Sequence, residues 1–237
     1  MKITSSLYLL TLIALALPMS ISAEVENDIQ WGVEAVTGYR SNYVYRGFEL
    51  SESTLDFQLE AEFALTNNLA LNVGGWYATE TGNGDFDEAA GFLKLHHQTT
   101  EHLTLGLRGT YRDFNNSFFE EGVDVGAYAS WEFCRGFDIT LGGSYDTGAE
   151  GWYGHLETNW TKPLNNKTFF SLQTGISAVD DYYGRDGFND VYGRVSLTYN
   201  ISDTVSVTPF VGGSALLDSD DIGDDTAFGG IWFEVRF

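Results

Sequence analysis

The chain has 237 residues, with 34 acidic side chains against 12 basic ones and a formal charge of -22 at pH 7. That balance excludes a nucleic-acid binder, and a single cysteine excludes a disulfide scaffold. A 15% aromatic and 43% hydrophobic content is too high for a disordered acidic chain, while a mean hydropathy of -0.15 with one long apolar run excludes a helical membrane protein.

That run opens the chain. Lys2 precedes an apolar stretch over 7–19, and the small residues Ser20, Ser22 and Ala23 follow before Glu24-Val25-Glu26. Charged, apolar and small in that order is the layout of a secretory signal peptide, and the stretch falls short of the roughly 18 residues that a spanning helix needs. Pro18 breaks it further. Residues 1–23 are therefore expected to be a cleaved signal peptide and 24–237 a single exported domain, with 11 basic and 34 acidic residues and a net charge of -23.

Almost all of the rest alternates with period two. Leu55, Phe57, Leu59, Ala61, Phe63 and Leu65 occupy odd positions, and Thr54, Asp56, Gln58, Glu60 and Glu62 the even ones between them. Such alternation places apolar side chains on one face of a strand and polar ones on the other. It predicts twelve strands, at about 31–46, 54–65, 69–79, 86–98, 103–113, 121–133, 137–147, 151–162, 168–179, 190–200, 204–216 and 226–237. The connectors alternate too. Short turns such as 66–68, 99–102, 134–136 and 201–203 exchange with mostly longer segments rich in Gly, Asp and Asn, such as 81–85, 180–189 and 217–225.

Short turns on one side and loops on the other are the plan of a transmembrane, antiparallel, up-and-down β-barrel. A soluble sandwich alternates as well, so two further features decide. On the apolar face Trp31, Trp131, Phe133, Phe137, Trp160, Tyr199, Phe233 and Phe237 lie toward the turn side, and Tyr43, Tyr45, Tyr77, Tyr111, Tyr145 and Trp152 toward the loop side. Between them lie Leu71, Val73, Leu105, Ile139, Leu141, Leu156, Leu172, Val195, Leu197 and Val207, an aliphatic band between two aromatic girdles that matches a bilayer and its interfaces. The opposite face is polar and charged, as a wet lumen requires.

That face carries the candidate pore-lining residues Arg40, Arg46, Glu60, Lys94, Arg108, Arg112, Asp124, Asp138, Asp146, Glu157 and Arg194. If the first loop is centred near Leu50, Arg40 faces Glu60, and a turn near Thr100 brings Glu88 to Arg112. Arg40, Arg46, Arg194 and Arg236 form a basic wall across from Asp124, Glu132, Asp138, Asp146 and Glu157. Opposed walls in a low-dielectric tube impose a transverse field that favours small polar or zwitterionic solutes. The inward aromatics Trp76, Phe92, Tyr128, Tyr153, Tyr192 and Trp232 are expected to narrow the path.

Two segments carry a resemblance. The ending Gly230-Ile231-Trp232-Phe233-Glu234-Val235-Arg236-Phe237 resembles the C-terminal signal of bacterial outer-membrane proteins, which implies that Phe237 is read by the barrel-assembly machinery. Ser41-Asn42-Tyr43 and Arg46-Gly47, followed by Ser51 and Ser53, resemble the opening strand of the TorF-like porins, with its pattern Ser-Asp-Tyr-x-x-Arg-Gly before a Ser-rich loop. The Pro usual before that family's second strand is absent, and Asp56-Phe57-Gln58 stands there. The resemblance covers about one strand and its loop, and it implies a passive outer-membrane channel.

Catalysis finds little support. None of His96, His97, His102 and His155 has an evident Ser and Asp partner, and neither Gly142-Gly143-Ser144 nor Gly212-Gly213-Ser214 continues as a nucleophile elbow. The acidic run 218–225 has Ile222 at a ligand position and Gly229 where a calcium loop needs Glu, so neither a metal nor a cofactor is expected. The expected partners are outer-membrane lipid and lipopolysaccharide, the assembly machinery and small polar solutes. A closed, narrow barrel that acts as a structural or adhesive surface protein through its acidic loops is the alternative to the channel.

Overall fold

The computed structural model describes residues 31–82, 84–115, 118–218 and 222–237, so the expected signal peptide lies outside the described residues. The strands are β1 (Trp31–Arg40), β2 (Tyr43–Tyr45), β3 (Phe48–Ser51), β4 (Thr54–Thr66), β5 (Leu69–Glu80), β6 (Asp87–Gln98), β7 (Leu103–Phe114), β8 (Gly122–Cys134), β9 (Phe137–Asp146), β10 (Gly151–Pro163), β11 (Thr168–Tyr182), β12 (Arg185–Asn200), β13 (Val205–Leu216) and β14 (Thr226–Arg236). Twelve of these close into one antiparallel barrel, while β2 and β3 form a separate two-stranded sheet. Closure is made by β1 against β14, from Glu34 opposite Arg236 to Arg40 opposite Gly230. A closed ring satisfies every ladder hydrogen bond internally, which is the condition for strands to cross a lipid bilayer.

The exterior is apolar and exposed. Leu59, Leu107, Val125, Leu141 and Val211 keep about 60% of their surface (59, 60, 59, 63 and 63%). On a water-soluble protein such a belt would be an aggregation surface, whereas on a closed barrel it is the lipid-facing band. Aromatic girdles rim it. Trp31, Trp131, Phe133, Trp160, Tyr199 and Phe233 are exposed near the short turns, and Tyr39, Tyr77, Tyr111 and Trp152 near the loops. Tyr43 and Tyr45, expected in the loop-side girdle, are instead buried.

Both differences from the sequence reading occur at the loop end. The first strand stops at Arg40 rather than continuing to residue 46, because the chain reverses and folds inward as the β2–β3 hairpin. The stretch 180–189 is not a long loop. β11 and β12 extend until only residues 183–184 separate them, with register shifts beyond Ile176 and Val179 that bend the tip.

Inward glycines make room on the wall. Gly38, Gly74, Gly106, Gly142, Gly175, Gly212 and Gly230 are paired across the ladder with Trp232, Phe92, Tyr128, His155, Tyr192, Phe228 and Phe210 respectively. A Cβ at any of these glycines would collide with the ring opposite. Each ring therefore lies over its neighbour's bare backbone. The expectation that Phe92, Tyr128, Tyr192 and Trp232 narrow the path changes accordingly: glycine draws them against the wall, and the narrowing comes from the hairpin.

Candidate functional site: the lumen, its hairpin and the cavity beneath

The hairpin turns at Arg46 (φ 51°) and Gly47 (φ 80°), two left-handed residues in succession, as the tightest antiparallel turn requires. Its sides carry Tyr43, Tyr45 and Phe48 into a buried cluster with Phe86, Phe114, Phe119, Tyr153 and Tyr182. Burying each large aromatic side chain contributes roughly 1.5–3 kcal/mol toward the inserted position. The Phe48 ring lies 5.3 Å from Phe119 and 6.5 Å from Tyr182, and Tyr43 lies 5.3 Å from Trp76.

Polar contacts fix the tip. Arg46 pairs with Asp124, donates to the Ser144 hydroxyl (3.0 Å) and to Tyr182 Oη (2.8 Å), and lies 3.6 Å from Asp146. Its guanidinium also sits 4.3 Å from the Tyr153 ring centroid. The buried Arg185 stacks 3.5 Å over Phe48 and donates to the carbonyls of Gly47 and Ile222, while Asn189 Nδ2 donates to the Arg46 carbonyl (3.0 Å). Tyr43 Oη donates to Glu88 (2.9 Å), which also pairs with Arg112. Burial, followed by the Glu88 charge, pushes the ionisation of the Tyr43 phenol well up and keeps it a donor. Over this plug lie Phe118, Phe119 and Tyr183, the last bonded through its hydroxyl to the backbone of Glu120.

The eleven candidate pore residues fall into three groups. At the plug are Arg46, Arg112, Asp124 and Asp146, with Arg46 carried on the hairpin rather than on the wall. Two wall pairs follow: Arg40 with Asp56 (Nε–Oδ2 2.7 Å), and Lys94 with Glu60 (3.1 Å). The expected Arg40–Glu60 pair does not form, because the loop folds inward and the β1–β4 register sets Arg40 opposite Thr54 and Glu34 opposite Glu60. The expected Glu88–Arg112 contact is present, although the ladder pairs Arg112 with Ala90.

Arg108, Arg194, Asp138 and Glu157 are the least neutralised. Arg108 approaches Asp124 only to 3.8 Å, and Arg194 stacks 4.7 Å over Trp232. Asp138 and Glu157 take hydrogen bonds from Asn159 (3.4 and 2.9 Å), and Glu157 takes another from Tyr192 Oη (3.0 Å). Opposed basic and acidic walls are therefore not what the fold builds. Arg40 is matched by its neighbour, and Arg46 crosses the lumen to the acidic side.

Below the hairpin tip lies a cavity of about 320 Å³, lined by Arg46, Arg108, Tyr153, His155, Glu157, Tyr192 and Phe228 among others. A second, of about 310 Å³, lies near the short turns among Thr161, Ser171, Thr198, Ser206, Glu234 and Arg236. Phe237 is exposed, and its backbone is bonded to Val33 in both directions (2.9 and 3.2 Å). Cys134 is a free, exposed thiol at the end of β8.

A closed twelve-stranded barrel with a lipid-facing belt and a charged lumen defines a transmembrane barrel of the bacterial outer-membrane type. Solved structures agree on the fold. A KdgM porin matches with a TM-score of 0.57 at 7% identity, over 87% of this chain and 99% of the other. An outer membrane channel from Pseudomonas putida F1 matches at 0.57 and 11%, over 91% and 100%. A NanC porin matches at 0.56 and 11%, over 86% and 98%. The sequence matches no family model and no curated protein.

Proposed function

We propose that the protein is a porin-like passive channel of the outer membrane for small polar solutes, with its loop-side mouth closed by the β2–β3 hairpin in this conformation. The lumen below that hairpin carries the reading. It is lined by charged and hydroxyl side chains, its rings are drawn against the wall by glycine, and two polar cavities succeed one another along it. The porin and channel folds of the structural neighbours support the same class. The Ser-Asn-Tyr and Arg-Gly resemblance at residues 41–47 supports a TorF-like porin within it.

The buried hairpin also favours a second reading, a permanently closed barrel that works through its acidic loops and the lipopolysaccharide around them. Liposome swelling separates the two. Arg40 and Thr54 are directly paired, so an Asn-Gly turn can replace residues 41–53 and keep the β1–β4 register. The channel reading expects slow glycine or arabinose entry through the native protein and much faster entry through this variant. If neither swells, the closed barrel stands. For assembly, deleting Phe237 is expected to lower the amount of protein in the outer membrane, as surface labelling would measure, and unchanged levels would leave Phe237 as an interface anchor only.

A further inference from the structure

Most charges in the lumen are spoken for; of those that flank the cavity under the hairpin, Arg108 is held only loosely by Asp124, while Glu157 and the buried Asp190 meet neutral donors alone among the described residues. The Nη atoms of Arg108 make no hydrogen bond among the described residues, and the nearest carboxylate oxygen is Asp124 Oδ1, 3.8 Å from Nε. The other oxygen of Asp124 already serves Arg46 and Ser144. The Nη edge of Arg108 thus keeps its donors available, and a planar guanidinium grips a carboxylate in two places. About 34% of its side-chain surface stays open to the lumen.

Glu157 is its counterpart. Asn159 Nδ2 and Tyr192 Oη hold its two oxygens at 2.9 and 3.0 Å, which fixes the carboxylate, yet no basic group among the described residues lies within ion-pair distance. Two neutral donors orient an anion without discharging it, and a carboxylate keeps further acceptor capacity on both oxygens. Both residues line the same cavity of about 320 Å³, at the small end of the usual range for small-molecule sites, roughly 300–1,000 Å³. Tyr153, Tyr192 and Phe228 add ring surface to its lining.

We propose that this cavity is a binding site for small zwitterionic solutes of the amino-acid type, with Arg108 taking the carboxylate, Glu157 the ammonium group and the rings the apolar body. The proposal rests on the channel reading, since a lumen site is useful for a solute that passes through. A zwitterion is net neutral and offers a group to each charge. An anion would leave Glu157 unmet, and a cation would leave Arg108 so.

Calorimetric titration of the refolded full-length barrel in detergent, with three ligands that share a phenylethyl body, tests it. L-phenylalanine carries both charges, 3-phenylpropanoate only the acid and phenethylamine only the amine. L-phenylalanine is expected to saturate one site, with the other two at least tenfold weaker. Arg108→Gln should reduce L-phenylalanine to the affinity of phenethylamine, and Glu157→Gln to that of 3-phenylpropanoate, in preparations that retain the heat-modifiable gel migration of a folded barrel. Equal binding of either half-ligand, no binding of L-phenylalanine, or unaltered affinity in the folded variants would overturn the site. The comparison on the unmodified protein decides alone if the variants do not fold. Binding without swelling would keep the site and remove the channel, and swelling without binding would do the reverse.

Discussion

Val73 and Asn72 are neighbours in β5 with opposite fates. Val73 is exposed on the belt, while Asn72 is buried in the lumen and donates to Glu60 (2.6 Å) and Glu62 (3.2 Å). Val73→Lys puts an ammonium group into hydrocarbon and is expected to destabilise the barrel by about 2–4 kcal/mol in reversible unfolding from bilayers. Asn72→Lys places the same charge beside two carboxylates and should cost much less, so equal costs would contradict the assigned facing. Within the barrel strands this facing was legible in the sequence, because period-two alternation is the side-chain geometry of a strand and a single slip would reverse it throughout. Partners were legible only where the strand end was placed correctly. Glu88 meets Arg112 as expected, whereas Arg40 turned to Asp56 because the first loop does not sit where a simple hairpin would put it.

The inserted hairpin is the element that alternation concealed. Tyr43 and Tyr45 continue the parity of Tyr39, so residues 31–46 read as one long strand, although Tyr39 faces outward and the other two fill the lumen. A signal was present in Arg46-Gly47 between alternating aromatics, since a glycine at such a position marks a two-residue turn. The socket was hidden for a different reason: Tyr182, Arg185 and Asn189 lie in a stretch whose Gly and Asp content reads as a loop, and only tertiary packing draws it into β11 and β12. Arg46→Ala removes the contacts to Asp124, Ser144 and Tyr182 and leaves the carboxylates of Asp124 and Asp146 without their shared cation. It is expected to loosen the hairpin, so that protease added from the loop side cuts within residues 41–53 at least several-fold faster while the barrel stays intact. Cleavage at the native rate would show that the aromatic cluster holds the hairpin unaided.

Across the molecule, negative charge prevails along the proposed path. Glu132, Asp138 and Glu157 face the lumen with no basic group within ion-pair distance among the described residues, against the weakly engaged Arg108 and Arg194. The mouth adds Asp180, Asp181, Asp186, Asp224 and Asp225, all exposed. Cations should therefore concentrate in an open lumen, more so at low salt, where screening is weak. The reversal potential of the variant with residues 41–53 replaced by Asn-Gly, measured in a planar bilayer under a salt gradient, tests the account most directly. It should show a conductance larger than that of the native protein and selective for cations, weakened when Glu132 and Asp138 are both made amides. Anion selectivity would contradict the charge map, and no conductance with the hairpin gone would contradict the channel itself.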